Sequence, residues 1–218
     1  MVIWTDLSEV LIGGAYGLQK FVNQAYGYEV AKQFCHRSRE MNSLFCDLMR
    51  GRFSEDEYWR IFLQGDWPFD ADTAKSFMSH NMTCLVPNTM DVYQNIVYYP
   101  QWISHEEETP RIYDKPEIWL VSDHIRERIP ELEYLHPEIF TLTSRQFWSF
   151  EAGCLKNDPR RFQEILDETG LWPDEVVFID DNAKNTAVAE SLGIASIAFS
   201  NAAQLRRRLN HLGFGFAD

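Results

Sequence analysis

Two adjacent acids, Asp180 and Asp181, are the side chains of this sequence best suited to chemistry. They follow the apolar run Val176–Ile179, which predicts a buried strand whose end would hold both carboxylates in fixed positions. Adjacent carboxylates repel each other unless a cation lies between them. Hard oxygen ligands on a rigid strand end suit Mg²⁺, which proteins usually hold with one or two carboxylates together with substrate phosphate. The acid pair therefore predicts a Mg²⁺ site.

Further polar groups lie at comparable points of the chain. Asp6 follows the apolar run that opens the sequence, and Ser122 and Asp123 follow the run Ile118–Val121. Lys156 comes shortly before a predicted helix. In open parallel α/β sheets, ligands bind beyond the carboxyl ends of the strands. We therefore expect these groups to meet the acid pair at one edge of a sheet.

This order of an aspartate, a serine, a lysine and an acid pair resembles the haloacid dehalogenase (HAD) superfamily, whose members are mostly phosphatases that act through an aspartyl-phosphate. The resemblance extends over the whole chain, and the segment from Gly153 to Gly193 is its strongest part. Asp6–Leu11 and Phe178–Asn182 are most similar to bacterial sugar-phosphate phosphatases of the alpha-glucose-1-phosphatase kind. The resemblance implies a Mg²⁺-dependent phosphatase whose partner is a small phosphate ester, with a sugar phosphate as the first candidate.

The resemblance also implies a role for each residue. Asp6 would be the nucleophile, because a carboxylate can attack phosphorus and form an acyl phosphate. Asp6, the backbone carbonyl of Ser8 and Asp181 would ligate Mg²⁺. Asp180 would contact the ion through a water molecule, and Lys156 would neutralise Asp6 together with the phosphoryl oxygens. The implied substrate-binding residues are Leu7, Ser122, Asp123 and Lys156.

Ser8, one of the implied catalytic residues, is the main departure from the family pattern. Most phosphatases of this superfamily have a second aspartate here, which protonates the leaving alcohol and then activates water. A serine hydroxyl does not titrate near neutral pH, and acid–base assistance is typically worth about 10²–10⁴-fold, so turnover without a replacement should be slow. His36 and His124 are candidate replacements. Glu9 is expected to point elsewhere from its tight loop, and Asn185 to pack or cap within its helix.

Three alternative functions stay open. A haloacid dehalogenase also uses an aspartate nucleophile without a second aspartate, but it needs no metal, so the retained acid pair counts against it. A phosphonatase needs a cap lysine for a Schiff base, and Lys20, Lys32 and Lys75 lie in no evident motif. A degenerate member would bind a phosphorylated ligand or a partner protein without turnover, and Ser8 is the feature that favours this alternative.

Bulk composition restricts the class of protein. A chain of 218 residues can bury one sizeable core with a small second domain. The formal charge of −13 argues against a nucleic-acid partner, because polyanion binding depends on clustered Lys and Arg. No apolar run approaches the ~20 residues that span a bilayer, which predicts no membrane partner. The sequence starts directly with a predicted strand, which argues against a signal peptide. The four cysteines have no paired spacing, which predicts free thiols in a cytoplasmic protein. The sequence does not indicate the oligomeric state.

Hydrophobic periodicity divides the chain into two domains. Residues 15–87 have helical spacing and include Ser54–Glu57, which predicts a capping box. The resemblance identifies this segment as an all-α helical cap, with Gly13-Gly14 and Val86–Asn88 as its hinges. Residues 1–14 and 88–218 are expected to form a Rossmann-like α/β core, in which helices cover both faces of a parallel sheet.

The other core elements follow from local patterns. Asp158-Pro159 and the later Gly170 predict a helix between them. Phe140–Thr143 and Phe147–Phe150 are strand-like. The other expected elements are a helix over Thr89–Ile103, an acidic surface loop over His105–Lys115, a strand over Ala195–Phe199 and a helix over Asn201–Leu212.

Overall fold

The computed structural model describes residues 1–14, 17–98 and 115–216. Its strands are β1 (Val2–Thr5), β2 (Glu117–Ser122), β3 (Arg145–Trp148), β4 (Val176–Asp180) and β5 (Ala195–Ala198). They form one parallel sheet in the order β3-β2-β1-β4-β5. Its α-helices are α1 (Leu18–Tyr26), α2 (Tyr28–Glu40), α3 (Asn42–Met49), α4 (Glu55–Phe62), α5 (Ala71–Met82), α6 (Thr89–Tyr98), α7 (Ile129–Leu135), α8 (Pro137–Leu142), α9 (Ser149–Ala152), α10 (Pro159–Thr169), α11 (Ala183–Ser191) and α12 (Ala202–His211).

The strands of this sheet end at a common edge. The central strand β1 pairs with β2 and β4, so that Thr5 lies opposite Leu120 and Ile179. Every residue of β1 and β4 is buried, as expected for parallel strands covered on both faces. The residues that end or follow β1, β2 and β4 therefore lie side by side.

Helices cover both faces of the sheet. Successive strand residues point to opposite sides, so both faces carry apolar side chains that need to be buried. On one face Trp4 stacks between Trp119 and Phe162 of α10, with ring centroids 6.4 Å and 6.2 Å apart. On the other face Ile3 and Ile179 belong to one apolar cluster with residues of α6, α12 and the helices that follow β1. The predicted α/β fold with a doubly covered parallel sheet is confirmed.

Five helices, α1 to α5, are inserted between β1 and α6. Their interior is aromatic: Phe34 lies with its ring centroid 5.0 Å from that of Phe62 and 6.2 Å from that of Trp67. Ser54 caps α4 as predicted, since its hydroxyl accepts from the Glu57 backbone while the Glu57 carboxylate accepts from the Ser54 backbone. The domain limits at 14/15 and 87/88 stay a prediction.

The two predicted hinges lie next to each other. The Gly13 backbone N–H donates to the Cys84 carbonyl, and the Val86 N–H donates to the Leu11 carbonyl, both at 2.8 Å. These two bonds join the segment that enters the helical insert to the segment that leaves it. Both ends of the insert therefore start from one short paired stem.

A buried ion pair fastens the insert to the core. Arg128, which precedes α7, donates to the Glu55 carboxylate of α4 at 2.5 Å, and both side chains are under a tenth exposed. Glu55 also accepts from the Trp59 indole, and Arg128 donates to the Lys75 carbonyl. The charges are thus paired and hydrogen-bonded within their buried surroundings, as buried ions require.

Two strand predictions need correction. Phe140–Thr143 was expected to be a strand, but Pro137–Leu142 forms helix α8. Pro137 begins that helix, and its buried residues Ile139 and Leu142 are three apart, which is helical spacing. Phe147–Phe150 lies only partly in a strand, because β3 ends at Trp148 and α9 begins at Ser149.

Most of the other predicted elements lie close to their expected positions. Asp158 caps α10 and Gly170 ends it in the left-handed conformation, as predicted. The helix expected over Thr89–Ile103 is α6 up to Tyr98; its remainder and the acidic loop, apart from Lys115, lie outside the described residues. Across residues 1–14, 17–98 and 115–216, none of the helices has both the length and the apolar character needed to cross a membrane.

Candidate active site at the carboxyl edge of the sheet

Asp6 is held at the carboxyl end of β1. Its backbone N–H donates to the Ile179 carbonyl at 2.9 Å, so the residue continues the pairing of β1 with β4. The Leu7 backbone N–H then donates to Asp6 Oδ1 at 2.7 Å, which fixes the orientation of the carboxylate. Only 6% of Asp6 is exposed. The sheet thus presents one carboxylate in a single orientation.

Lys156 lies between two carboxylates. Its Nζ is 2.7 Å from Asp6 Oδ2 and 2.6 Å from Asp180 Oδ2, and the residue is 1% exposed. The backbone N–H of Lys156 donates to both oxygens of Asp123, which positions the loop before α10. The predicted meeting of Asp6, Lys156, Asp123 and Asp180 at one edge is therefore observed.

Asp180 is the most fully bonded of these acids. Besides Lys156, its carboxylate accepts from the Asn182 backbone N–H at 2.8 Å and from the Asn185 amide at 3.2 Å. Asn185 was expected only to pack or cap within its helix, and the structure instead directs its amide onto Asp180. The sequence signal was its position in the first turn of α11, directly after the acid pair.

Three carboxylates of this edge form a group that could hold a metal ion. Asp6, Asp180 and Asp181 each offer an oxygen, and these oxygens lie within 4.8 Å of one another. Three carboxylates against the single charge of Lys156 leave an excess of negative charge in a mostly buried place. Hard oxygen donors with that excess fit a small divalent cation such as Mg²⁺.

The pKa values at this edge reflect burial first and the neighbouring charges second. Burial raises the pKa of Asp6 to about 8, against the opposing effect of Lys156. Burial and the neighbouring Asp180 raise the pKa of Asp181. Burial alone would lower the pKa of Lys156, but the surrounding carboxylates, Asp180 first and then Asp6, outweigh it and raise the pKa. A bound cation would favour the ionised carboxylates.

A cavity of about 530 Å³ opens between this edge and the inserted helices. The sheet side is polar and charged, with Asp6, Asp181 and Lys156 in its lining. The insert side is mostly apolar. Helix α3 contributes one face to it: Asn42, Phe45, Cys46 and Met49, spaced as i, i+3, i+4 and i+7.

Solved structures that resemble this chain include HAD family enzymes and a dehalogenase. A HAD family enzyme from Bacteroides thetaiotaomicron matches with a TM-score of 0.68 at 18% identity, over 92% of this chain and 93% of that one. A predicted HAD-like family hydrolase from Porphyromonas gingivalis gives 0.67 at 20% identity, over 96% of each chain. The L-2-haloacid dehalogenase of Xanthobacter autotrophicus gives 0.58 at 14% identity, over 99% of this chain and 85% of that one.

The chain has the HAD fold. The resemblance to the HAD superfamily seen in the sequence is thus confirmed at the level of the fold. The Bacteroides thetaiotaomicron enzyme is also known in complex with magnesium and inorganic phosphate, and that complex matches with a TM-score of 0.65 at 16% identity, over 91% of this chain and 93% of that one.

Curated relatives match only in part, and no family model matches the sequence. The chain is 25% identical over 170 residues to the chloroplastic flavin mononucleotide hydrolase 1 of Arabidopsis thaliana, covering 78% of this chain and 62% of that protein. It is 32% identical over 85 residues to drimenol cyclase drtB of Aspergillus calidoustus, covering 38% and 16% respectively. The chain thus spans less than two thirds of these relatives.

The loop after Asp6 contains Ser8 and Glu9. Ser8 lines the cavity beside Asp6. Glu9 also lines the cavity, although its tight loop was expected to direct it elsewhere. Its φ of 60° is in the left-handed region, and its Oε1 accepts from the Gly14 backbone N–H at 2.8 Å. A Cβ on Gly14 would lie 2.7 Å from that oxygen, so a larger residue there would displace the Glu9 side chain.

The residues at the end of β2 divide between the cavity and its back wall. Asp123 lines the cavity, and burial raises its pKa. Ser122 is 1% exposed and does not line it, and its hydroxyl has no partner among the residues that the structure describes. Ser122 and Leu7 thus lie behind the surface, whereas Asp123 and Lys156 form part of it.

Of the two histidine candidates, only His124 lies at the cavity. His36 is 76% exposed at its side chain and pairs with Glu40 on the surface of α2. His124 lines the cavity, and its Nδ1 faces the Ile125 carbonyl at 3.2 Å. Burial lowers the pKa of His124 to about 4, so the ring is neutral at pH 7 and offers no proton there as a cationic acid.

Proposed function

We propose that this chain is a Mg²⁺-dependent phosphatase, which hydrolyses a small phosphorylated metabolite through an aspartyl-phosphate on Asp6. The observation that carries the proposal is the position of Lys156, within 2.7 Å of both Asp6 and Asp180 at the floor of a cavity. The magnesium and phosphate complex of the Bacteroides thetaiotaomicron enzyme and the similarity to a flavin mononucleotide hydrolase support it.

Asp6 is suited to the role of nucleophile. The Leu7 N–H binds one carboxylate oxygen and Lys156 binds the other, so the group cannot rotate away from the cavity. In the proposed step an Asp6 oxygen bonds to phosphorus while the bond from phosphorus to the ester oxygen breaks. The leaving alkoxide then takes up a proton from water, and water later cleaves the acyl phosphate, which releases inorganic phosphate and regenerates the Asp6 carboxylate.

The donor set fits Mg²⁺. Asp6, Asp181 and the Ser8 carbonyl would hold the ion directly, with Asp180 behind a water molecule. When bound, Mg²⁺ supplies positive charge that lets one anion approach another and stabilises the phosphoryl oxygens. Asp180 accepts three hydrogen bonds from Asn182 and Asn185 besides that of Lys156, which suits an indirect role.

The phosphoryl group would meet Lys156 and the backbone N–H of Asp123, two residues that line the cavity. Ser122 would act from behind that surface, since its buried hydroxyl still lacks an acceptor among the described residues. Leu7 would contribute through its hold on Asp6. A sugar phosphate is the substrate that the sequence resemblance suggests within this class.

A serine at position 8 should make turnover slow. The usual acid–base assistance of about 10²–10⁴-fold is absent unless a neighbour provides it. Glu9 is the nearest ionisable side chain along the chain that lines the cavity, although Gly14 occupies one of its oxygens. The serine at position 8 also supports a second candidate function, that of a HAD-fold protein that binds a phosphorylated ligand without turnover.

A phosphatase screen over a panel of phosphate esters tests the proposal. Activity should appear with Mg²⁺, vanish with a chelator and return when Mg²⁺ is added back. The Asp6→Asn variant should lose activity, and acid quench of the wild type should trap phosphate on Asp6. Activity that survives in Asp6→Asn or in chelator would overturn the proposal. Binding of phosphate esters with no turnover would select the second candidate.

A further inference from the structure

The cavity has two chemically different sides, and the phosphate accounts for only one of them. Its volume of about 530 Å³ lies within the usual range for small-molecule sites. The charged floor at Asp6, Lys156 and Asp181 suits a phosphoryl group. The opposite side therefore contacts whatever the phosphate is attached to.

Six of the side chains that line that opposite side are large and apolar or aromatic, and they are here called the cap wall. It consists of Phe34, Phe45, Met49, Tyr58, Met78 and Met82, from helices α2 to α5. None of the described residues of the five inserted helices that line the cavity is charged. Aromatic rings and thioethers contact flat apolar groups well, with ring pairs preferring offset or edge-on contacts.

The cap wall offers few partners for hydroxyl groups. Among the described insert residues that line the cavity, the polar groups beside the Tyr58 hydroxyl and the Trp59 indole are the side chains of Ser38 and Asn42. The Ser38 hydroxyl already donates to the Phe34 carbonyl of its own helix. A polyol placed here would lose water without replacing its hydrogen bonds, which is unfavourable. A sugar therefore fits this side poorly.

Phe45 indicates what fits better. It is a large apolar residue that is only partly buried, and its ring centroid lies 5.6 Å from that of Tyr58. Met49, one turn further along α3, is also partly buried and also lines the cavity. Apolar surface left facing a cavity is favourable to cover, by roughly 25 cal/mol per Å².

We infer that the substrate is a phosphate monoester whose alcohol carries a flat, largely apolar ring system that binds against the cap wall. This inference rests on the proposed function, because it assumes that the phosphate occupies the floor. It replaces the sugar phosphate suggested by the sequence resemblance. Phe45 and Met49 are the residues that select the ring.

Matched pairs of esters test the inference, because each pair keeps the same primary phosphate and differs in the ring. The pairs are flavin mononucleotide with ribitol phosphate, and phenethyl phosphate with ethyl phosphate. With Mg²⁺ present, kcat/KM should favour the ring-bearing member by about 100-fold in at least one pair. Ratios within about threefold in both pairs would overturn the inference and leave the phosphatase proposal intact.

Variants on α3 test whether Phe45 is responsible for the preference for ring-bearing esters. Phe45→Ala should lower the ratio within a pair about tenfold, and Phe45→Leu should restore most of it. Leu44→Ala is the matched control: Leu44 is a partly buried apolar neighbour on the same helix that does not line the cavity, and its loss should leave the ratio unchanged. An equal fall of the ratio in both alanine variants would contradict a direct contact with Phe45.

Binding separates a failure of this inference from a failure of the proposed function. If the wild type turns over none of the four esters, each is titrated by calorimetry in the presence of Mg²⁺. Tighter binding of the ring-bearing esters would retain the ligand class and reject the phosphatase. Equal binding within both pairs, or none at all, would reject the ligand class.

Discussion

The two sides of the cavity are built in different ways. On the sheet side, Lys156 and Asp180 are fully buried and each makes several short polar contacts. On the insert side, Phe45 and Met49 are partly exposed apolar side chains on helix α3. Polar networks with every member satisfied define one geometry, whereas apolar surfaces tolerate changes of shape.

This difference suggests a division of labour. Charges fixed at strand ends suit a reaction that needs atoms in fixed positions, because small displacements of reacting groups are costly. An apolar wall on short helices can change its occupant by a few substitutions while the floor stays the same. The sheet side would then determine the reaction, and the insert would determine the substrate.

Among the substitutions on the sheet side, Lys156→Met is expected to have the largest effect on activity and stability. The change leaves Asp6 and Asp180 buried without their shared cation, which should lower kcat by about 10²–10³-fold and the free energy of unfolding by about 3–5 kcal/mol. Enzyme kinetics and urea unfolding without Mg²⁺ measure the two effects. Lys32→Met, at an exposed position on α2, is the control. A stable, active Lys156→Met protein would refute the importance of this ion pair.

Ser8→Asp should increase the catalytic activity of the sheet side, because it introduces a second aspartate beside Asp6. We expect kcat to rise by about 10²-fold, because the new carboxyl group can protonate the leaving group. Ser8→Asn has a similar shape without the proton and should give no gain. An unchanged or lower rate in Ser8→Asp would mean that another group already transfers the proton.

His124 should make the folding stability of the protein fall at acidic pH. Its pKa is about 4 in the folded protein and about 6.5 when unfolded, so between these values only the unfolded state takes up the proton. Wild-type stability should therefore fall as the pH drops below 6.5, by about 2 kcal/mol near pH 5 from this residue. Urea unfolding of the wild type and His124→Gln measures the difference, since the variant lacks this titration. Parallel pH profiles for the two proteins would disprove the prediction.

Asn185→Ala tests whether the hydrogen bonds from Asn185 to Asp180 strengthen the binding of Mg²⁺. Its amide donates to both oxygens of Asp180, and loss of such a supporting bond typically weakens metal binding by about 10-fold or more. Calorimetric titration with Mg²⁺ measures the change. Asn210→Ala, on the exposed side of α12, should leave the affinity unaltered. Equal Mg²⁺ affinity in Asn185→Ala and the wild type would show that Asp180 needs no such support.

The smallest effect is expected on the insert side. Ser54→Ala removes the capping box of α4 and should cost about 1 kcal/mol of stability while kcat stays the same. Thermal unfolding and kinetics at saturating substrate measure both quantities. A fall in kcat would show that the helices of the insert also influence the chemistry, which would weaken the division between the two sides.

The sequence predicted the sheet side better than the insert side. Asp6 and Asp180 could be brought together in advance, because an apolar run that stops at an acid marks the end of a parallel strand. Lys156 was assigned to the same site from its position before a helix and from the family resemblance. The link from Asn185 to Asp180 was missed, since an asparagine in the first turn of a helix is also a common cap. The roles of these residues stay predictions.

Periodicity has a limit, which the misassigned segment Phe140–Thr143 and the face of α3 both illustrate. Phe140–Thr143 alternates apolar and polar residues over four positions, which is too short to distinguish a strand from the last turn of a helix. The face of α3 with Phe45 and Met49 has the spacing of any buried helix face. Whether such a face meets a core or a cavity depends on the tertiary structure, which the spacing does not contain.

The ion pair between Glu55 and Arg128 has a consequence for unfolding. Separating α4 from the segment before α7 would break the contacts of Arg128 with the Glu55 carboxylate and with the Lys75 carbonyl, which couples the insert to the core. The helical insert and the sheet should therefore melt together in one calorimetric transition, and heat should not release the insert first.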